Sequence, residues 1–289
     1  METKGRRKSS NVDDRRGMSP AQKGGVGGGI GIIIIIIFTL LSGGDLGDVI
    51  TNVTNNSGGT EQTTEQTNYV PTAEEEELAD FVSVVLADTE DIWHQLFEQE
   101  GMQYVEPTLV LFTDSVSSAC GLQSAAVGPF YCPGDYSLYI DLSFYKELRD
   151  TFDAPGDFAM AYVVAHEVGH HVQTLLGTSQ EVHAQAGRVS DAAYNEQVKR
   201  LELQADYLAG VWAHHVEGKG YLEEGDMEEA LVAANAIGDD TLQMEARGYV
   251  VPESFTHGTS EQRMRWLKKG FTNGTLQGSD TFSIPASQL

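Results

Sequence analysis

The chain has 289 residues, 40% of them hydrophobic, which suffices for one sizeable domain with accessories. It carries 18 basic against 43 acidic side chains, a formal net charge of −25. So acidic a body repels a polyanion, and with no basic patch to offset this, nucleic acid is excluded as a partner. The cations are also unevenly placed. Lys4, Arg6, Arg7, Lys8, Arg15, Arg16 and Lys23 all fall in residues 1–23, beside only Glu2, Asp13 and Asp14. This reads as a basic arm on an acidic body. The acidity of that body fits either an ordinary solvated surface or a salty habitat.

Residues 24–44 contain no charged side chain, and the stretch from 30 to 41 is dense in isoleucine. A spanning helix needs about 20 predominantly apolar residues, so 24–44 is expected to form one N-terminal transmembrane anchor. Cations precede the run, while Asp45 and Asp48 follow it. The positive-inside rule then makes 1–23 a basic cytoplasmic tail and the remainder extracytoplasmic, a single-pass protein of the cell membrane. A cleaved signal peptide is the alternative, but no clean small-x-small site follows Leu41. Residues 45–70, rich in Thr, Asn, Gly, Gln and Glu, read as a flexible polar linker.

The folded domain is expected over 71–289. Its first helix spans 73–99, with acidic residues in the first turn and apolar ones at 3–4 spacing. Residues 109–112 form a short strand, and 130–132 with 138–142 form a hairpin around Pro133, Gly134 and Asp135. A helix over 157–176 has Asp157 as N-cap and Gly177 as stop. Further helices are expected over 191–216, 226–237 and 260–269. Strands come early and helices dominate, which is an α+β domain rather than an alternating one. Cys120 and Cys132 lack zinc-ribbon spacing. They form a disulfide if the domain is extracytoplasmic, and are buried hydrophobes if it is cytosolic.

Within the 157–176 helix lies His166-Glu167-Val168-Gly169-His170-His171. Four residues are about one helical turn, so His166 and His170 project from one face and can take two corners of a zinc tetrahedron. Glu167, offset around the helix, cannot easily be a third ligand but can serve as general base. Gly169 is a poor helix residue that makes sense where something approaches the backbone closely. A catalytic zinc needs a third protein ligand. Glu202 and Asp206 share one face of the 191–216 helix, so one can bind metal while the other accepts a histidine ring N–H. His171 points about 100° away from His170. His94, His183, His214 and His215 read as helix-surface residues.

His-Glu-x-x-His followed by Glu202-Leu203-Gln204-Ala205-Asp206 resembles the gluzincin pattern. More closely, the chain resembles the putative neutral zinc metallopeptidase family of bacteria, through residues 5–16, 128–133, 154–173, 200–212 and 254–271. The resemblance implies a zincin-like fold in which His166, His170 and Glu202 hold Zn2+, Glu167 is catalytic and Asp206 backs a ligand. It also implies that His257, just before a helix start, steadies an oxyanion; Arg263 can anchor the site through a carboxylate, and the alternative is Ser260 or Thr259 as an N-cap with His257 a loop polar residue. In zincins an edge strand beside the active helix binds extended peptide, and 136–141 is the expected strand. The function so implied is that of a membrane-anchored zinc endopeptidase acting on peptide or protein. A zinc-binding but non-hydrolytic envelope adaptor is the alternative, and the presence of Glu167 weighs against it.

Overall fold

The computed structural model describes residues 1–18 and 69–289. Helix α1 (Ala73–Gln99) opens with a capping box: the Thr72 hydroxyl accepts from the Glu75 N–H, and the Glu75 carboxylate accepts from the Thr72 N–H. Strand β1 (Val12–Asp14) pairs in parallel with β2 (Thr108–Phe112), and β2 pairs in parallel with β6 (Ser137–Asp141). Strands β2 and β6 are buried on both faces, which is why they read as continuous apolar runs rather than as alternation. Strand β5 (Phe130–Cys132) pairs antiparallel with β6, setting Phe130 opposite Tyr139 as the expected hairpin requires. The sheet order is β1-β2-β6-β5.

This order corrects one expectation. Residues 136–141 do not form an edge strand, because β2, remote in sequence, takes the other side of β6. The strands that end the sheet are β1 and β5. A second hairpin, β3 (Ser115–Ser118) with β4 (Gly121–Ser124), lies over one sheet face. It encloses a small core of Val110, Phe112, Val116, Phe130, Cys132 and Tyr139. Cys120 and Cys132 are joined as a disulfide that ties this hairpin to β5.

On the other face stand the helices α2 (Phe144–Asp150), α3 (Asp157–Leu176), α4 (Thr178–His183), α5 (Asp191–Gly218), α6 (Asp226–Ala236), α7 (Asp239–Arg247) and α8 (Ser260–Asn273). Helix α3 is buried without interruption from Phe158 to Gly169, as its near-continuous apolar sequence demands. It spans the expected residues, but its cap lies one residue earlier than expected. Gly156 holds the N-cap position and Asp157 is already helical, so its side chain does not cap. The stop at Gly177, in the left-handed conformation at φ 84°, is as expected. Helices α5 and α8 cross where both carry glycine. A methyl group on Gly210 would lie 2.1 Å from the Leu267 carbonyl oxygen, and one on Gly270 1.9 Å from that of Tyr207. The architecture is α+β, mostly helical with a small early sheet. The expected anchor at 24–44 lies outside the described residues. Among those described, no helix is long and apolar enough to cross a membrane.

The sequence sets residues 1–23 apart as a tail, but residues 1–18 pack on the domain. Besides β1, the Ser9 N–H donates to the Ser83 carbonyl (2.9 Å) and the Glu2 N–H to that of Tyr221 (3.0 Å). The cause is electrostatic. Asp88 and Glu90 on α1 are only 6% and 4% exposed, and a buried carboxylate is costly unless paired. Arg6 pairs with Asp88, and Arg7 reaches Glu90 at 2.8 Å. Ser9 and Asn11 also donate to Glu90. Arg6→Ala strands the Asp88 carboxylate and is expected to destabilise the full chain by about 3 kcal/mol. Lys4→Ala, at an exposed position, should change stability by less than about 0.5 kcal/mol. Urea midpoints of the two variants against the parent chain check both.

Candidate metal centre

Helices α3 and α5 meet at Gly169, where a methyl group would lie 3.0 Å from the Ala205 carbonyl oxygen. The glycine inside the His-Glu-x-x-His stretch therefore lets the α5 backbone approach, which brings Glu202 opposite the two histidines. His166 and His170 have ring centroids 4.8 Å apart. The Glu202 carboxylate lies between their Nε2 atoms, Oε2 at 3.2 Å from His166 and Oε1 at 3.4 Å from His170. One ligand atom from each of the three residues falls within 4.8 Å of the other two. Two imidazole nitrogens and a carboxylate converging on one point are the donor set that zinc takes. The residues present fit that ion.

What turns both Nε2 atoms inward is a pair of acceptors behind the rings. His166 Nδ1 is 2.9 Å from Asp206 Oδ1, and His170 Nδ1 is 2.9 Å from Gln173 Oε1. Asp206 is fully buried and triply held: Arg263 Nε donates to Oδ2 (2.9 Å), Arg263 Nη2 to Oδ1 (3.0 Å), and the Tyr162 hydroxyl to Oδ1 (2.6 Å). Gln173 is fixed through its own amide, which donates to the Leu201 carbonyl (2.6 Å) and to Gln204 Oε1 (3.1 Å). A ligand histidine so backed has its tautomer and ring plane set in advance.

The charges favour a cation at this point. Burial pulls the His166 imidazole down, but Asp206 and Glu202 outweigh it and its pKa is pushed up to about 9. Burial likewise opposes protonation of His170, and Glu202 reverses that. Glu202 itself, despite burial, is held well below the usual carboxylate range by His170 and His166. Burial would raise Asp206, yet Arg263 and His166 bring it down to about 2. Glu167 differs. It is 8% exposed, burial raises its pKa, and its carboxylate has no hydrogen bond or ion pair among the described residues. A carboxylate with spare acceptor capacity beside the site suits a proton carrier.

His257 precedes α8 on a loop organised by Asp239, the first residue of α7. Asp239 Oδ2 accepts the N–H groups of Thr256 (2.7 Å), His257 (2.7 Å) and Gly258 (3.2 Å), and Oδ1 stands 3.2 Å from His257 Nδ1. The His257 side chain remains 38% exposed. Burial lowers its pKa, Asp239 more than restores it, and its charge in turn helps keep Glu202 ionised. The structure thus brings His166, Glu167, His170, Glu202, Asp206, His257 and Arg263 into one neighbourhood. Cys120 and Cys132 lie apart from it.

Gln173, Tyr162 and Asp239 were not singled out from sequence. Gln173 could have been found by asking what lies one turn after His170; nothing local marks the other two. His171 is turned away from the site: its Nε2 donates to the Val105 carbonyl (2.6 Å), and its Nδ1 accepts from the Tyr131 hydroxyl (3.0 Å). A second acidic group is Asp157, Asp226 and Glu229; the Met1 ammonium group pairs with Asp157 at 2.7 Å, Glu223 at 3.2 Å and Asp226 at 3.3 Å.

Comparison with known proteins shows the family. The family model described as putative neutral zinc metallopeptidase matches residues 1–282. The uncharacterized protein YpfJ of Escherichia coli strain K12 is 45% identical over 290 residues, covering 98% of this chain and 99% of that protein. The uncharacterized protein Mb2605 of Mycobacterium bovis is 43% identical over 191 residues, covering 62% of this chain and 64% of that protein. No solved structure matches. The chain belongs to the putative neutral zinc metallopeptidase family.

Two outcomes follow from the acceptors behind the rings. Gln173→Leu removes the His170 acceptor without adding charge and should weaken zinc about 10–100-fold, read by competition with a chromogenic chelator. Asp206 has a folded pKa of about 2, below its ordinary 3.8, so its contribution is full above the higher value and lost as pH falls through the lower. With chelator present, the stability gap between the parent chain and Asp206→Asn should be of order 2 kcal/mol above roughly pH 5. It should close as the pH is taken from about 4 to 2. Unfolding curves across that range would show a constant gap if the assignment is wrong.

Proposed function

We propose that this member of the putative neutral zinc metallopeptidase family is a zinc-dependent endopeptidase. Two imidazole Nε2 atoms sharing one carboxylate, with an untethered glutamate alongside, is the observation that carries the reading. His166, His170 and Glu202 would hold the ion. The chemistry that zinc supplies in such a setting is Lewis acidity, which polarises a carbonyl and makes water acidic near neutral pH. Glu167 takes a proton from the attacking water as its oxygen bonds to the peptide carbonyl carbon. The same carboxyl group then delivers that proton to the nitrogen as the C–N bond breaks. His257, its Nδ1 held by Asp239, presents its other ring nitrogen as a donor to the oxygen that gains charge.

An extended peptide would pair with β5, which ends the sheet and packs against α3. The disulfide between Cys120 and Cys132 supports an extracytoplasmic domain, since such bonds persist in oxidising compartments. Sequence hydropathy at 24–44 supports attachment to the cell membrane. A binding-only adaptor would have no use for Glu167, and one experiment separates the two readings. Purified Glu167→Gln should keep one zinc by mass spectrometry but lose cleavage of a mixed peptide library. Glu202→Ala should lose both. Unchanged cleavage by Glu167→Gln would sink the base assignment, and zinc retained at full strength in Glu202→Ala would sink the third ligand.

A further inference from the structure

The seven cations of residues 1–23 suggest a free cytoplasmic arm, yet those within the described residues are largely spent on the domain. Arg6 pairs with Asp88 and lies 3.5 Å from the centroid of the Tyr221 ring. Arg7 bridges Glu90 and Asp91, at 2.8 Å each, and donates to the Ala87 carbonyl. Arg16 reaches Glu76 at 3.0 Å and the Glu75 carbonyl at 3.1 Å. Strand β1 adds backbone pairing: the Leu109 N–H donates to the Asn11 carbonyl and the Arg15 N–H to that of Leu111, both at 2.8 Å. These contacts form an extended seam along α1 and β2, and the acids they answer belong to residues 69–289.

A single crossing at 24–44 would put about 30 Å of hydrocarbon between the two halves of that seam. Asp88 and Glu90 would then lose Arg6, Arg7, Ser9 and Asn11 as partners, and β2 would be left with an unpaired edge. The positive-inside rule scores cations as free charges. Here they are ion-paired within a fold, so their count does not report orientation. We propose that residues 1–18 and 69–289 form one folded unit on one side of the membrane. The inference is independent of the peptidase reading, since no metal ligand enters it.

The test uses the full chain in cells, with one cysteine introduced at a time. Ser10→Cys and Glu98→Cys are exposed positions on the two parts. The native cysteines are bonded to each other and leave no free thiol. Labelling with a membrane-impermeant maleimide is compared before and after permeabilisation. The two positions should behave alike, both labelled in intact cells or both only after permeabilisation, with a ratio of accessibilities near one. Opposite behaviour, one position labelled in intact cells and the other only afterwards, overturns the proposal. Neither side chain makes a hydrogen bond or ion pair of the seam, and circular dichroism of each purified variant verifies that it has folded.

Discussion

The buried carboxylate of Asp206 is the constraint on which the site depends. It joins three helices: its own α5, α3 through His166 and Tyr162, and α8 through Arg263. A charge with no exposed surface persists only if hydrogen bonds and an opposite charge replace its water. The guanidinium fork supplies the charge and two of the bonds, and Tyr162 and His166 share the remaining lone pairs. Because the carboxylate cannot move without breaking several bonds at once, neither can the imidazole that leans on it. Stability of the helical layer and aim of the ligand are thus one interaction seen from two ends.

Gly169 serves the same end by a different route. Its missing side chain lets α5 approach α3 until the carboxylates one turn apart on α5 fall on either side of the His166 ring. Asp206 reaches the ring's Nδ1 and Glu202 its Nε2. A larger residue would hold the helices apart and separate both contacts together. The requirement comes from helix packing, and its effect is felt at the metal-ligand atoms.

Spacing made much of this legible. Histidines four apart on a helix must share a face, and carboxylates four apart on another must do so too, so the donor set could be read before any fold was known. Arg263 was named too, from its place in the cluster that follows His257, with a carboxylate as its expected partner. Contacts made by residues distant in sequence were not. Asp239 and Tyr162 are ordinary helix residues until tertiary packing brings His257 and Asp206 to them. The edge strand was misplaced because local pattern shows which residues pair in a hairpin, but not that β2 would take the far side of β6. Strand β1 has three residues, two of them aspartate, in a segment whose cations dominate any compositional reading.

The two ligand histidines are backed unequally, a carboxylate behind His166 and a neutral amide behind His170. A carboxylate acceptor strengthens its imidazole as a donor to metal, and a neutral amide does so less. Two carboxylates here, one behind each ring, would add to Glu202 and Glu167 in a pocket that holds Arg263 and His257 as its opposing side-chain charges. The excess negative charge would favour any divalent ion and raise the cost of burial. With Gln173 in place, the count of charges stays close to what one zinc and one arginine can balance. Geometry is fixed on both sides of the site, while only one side carries the extra electrostatic weight.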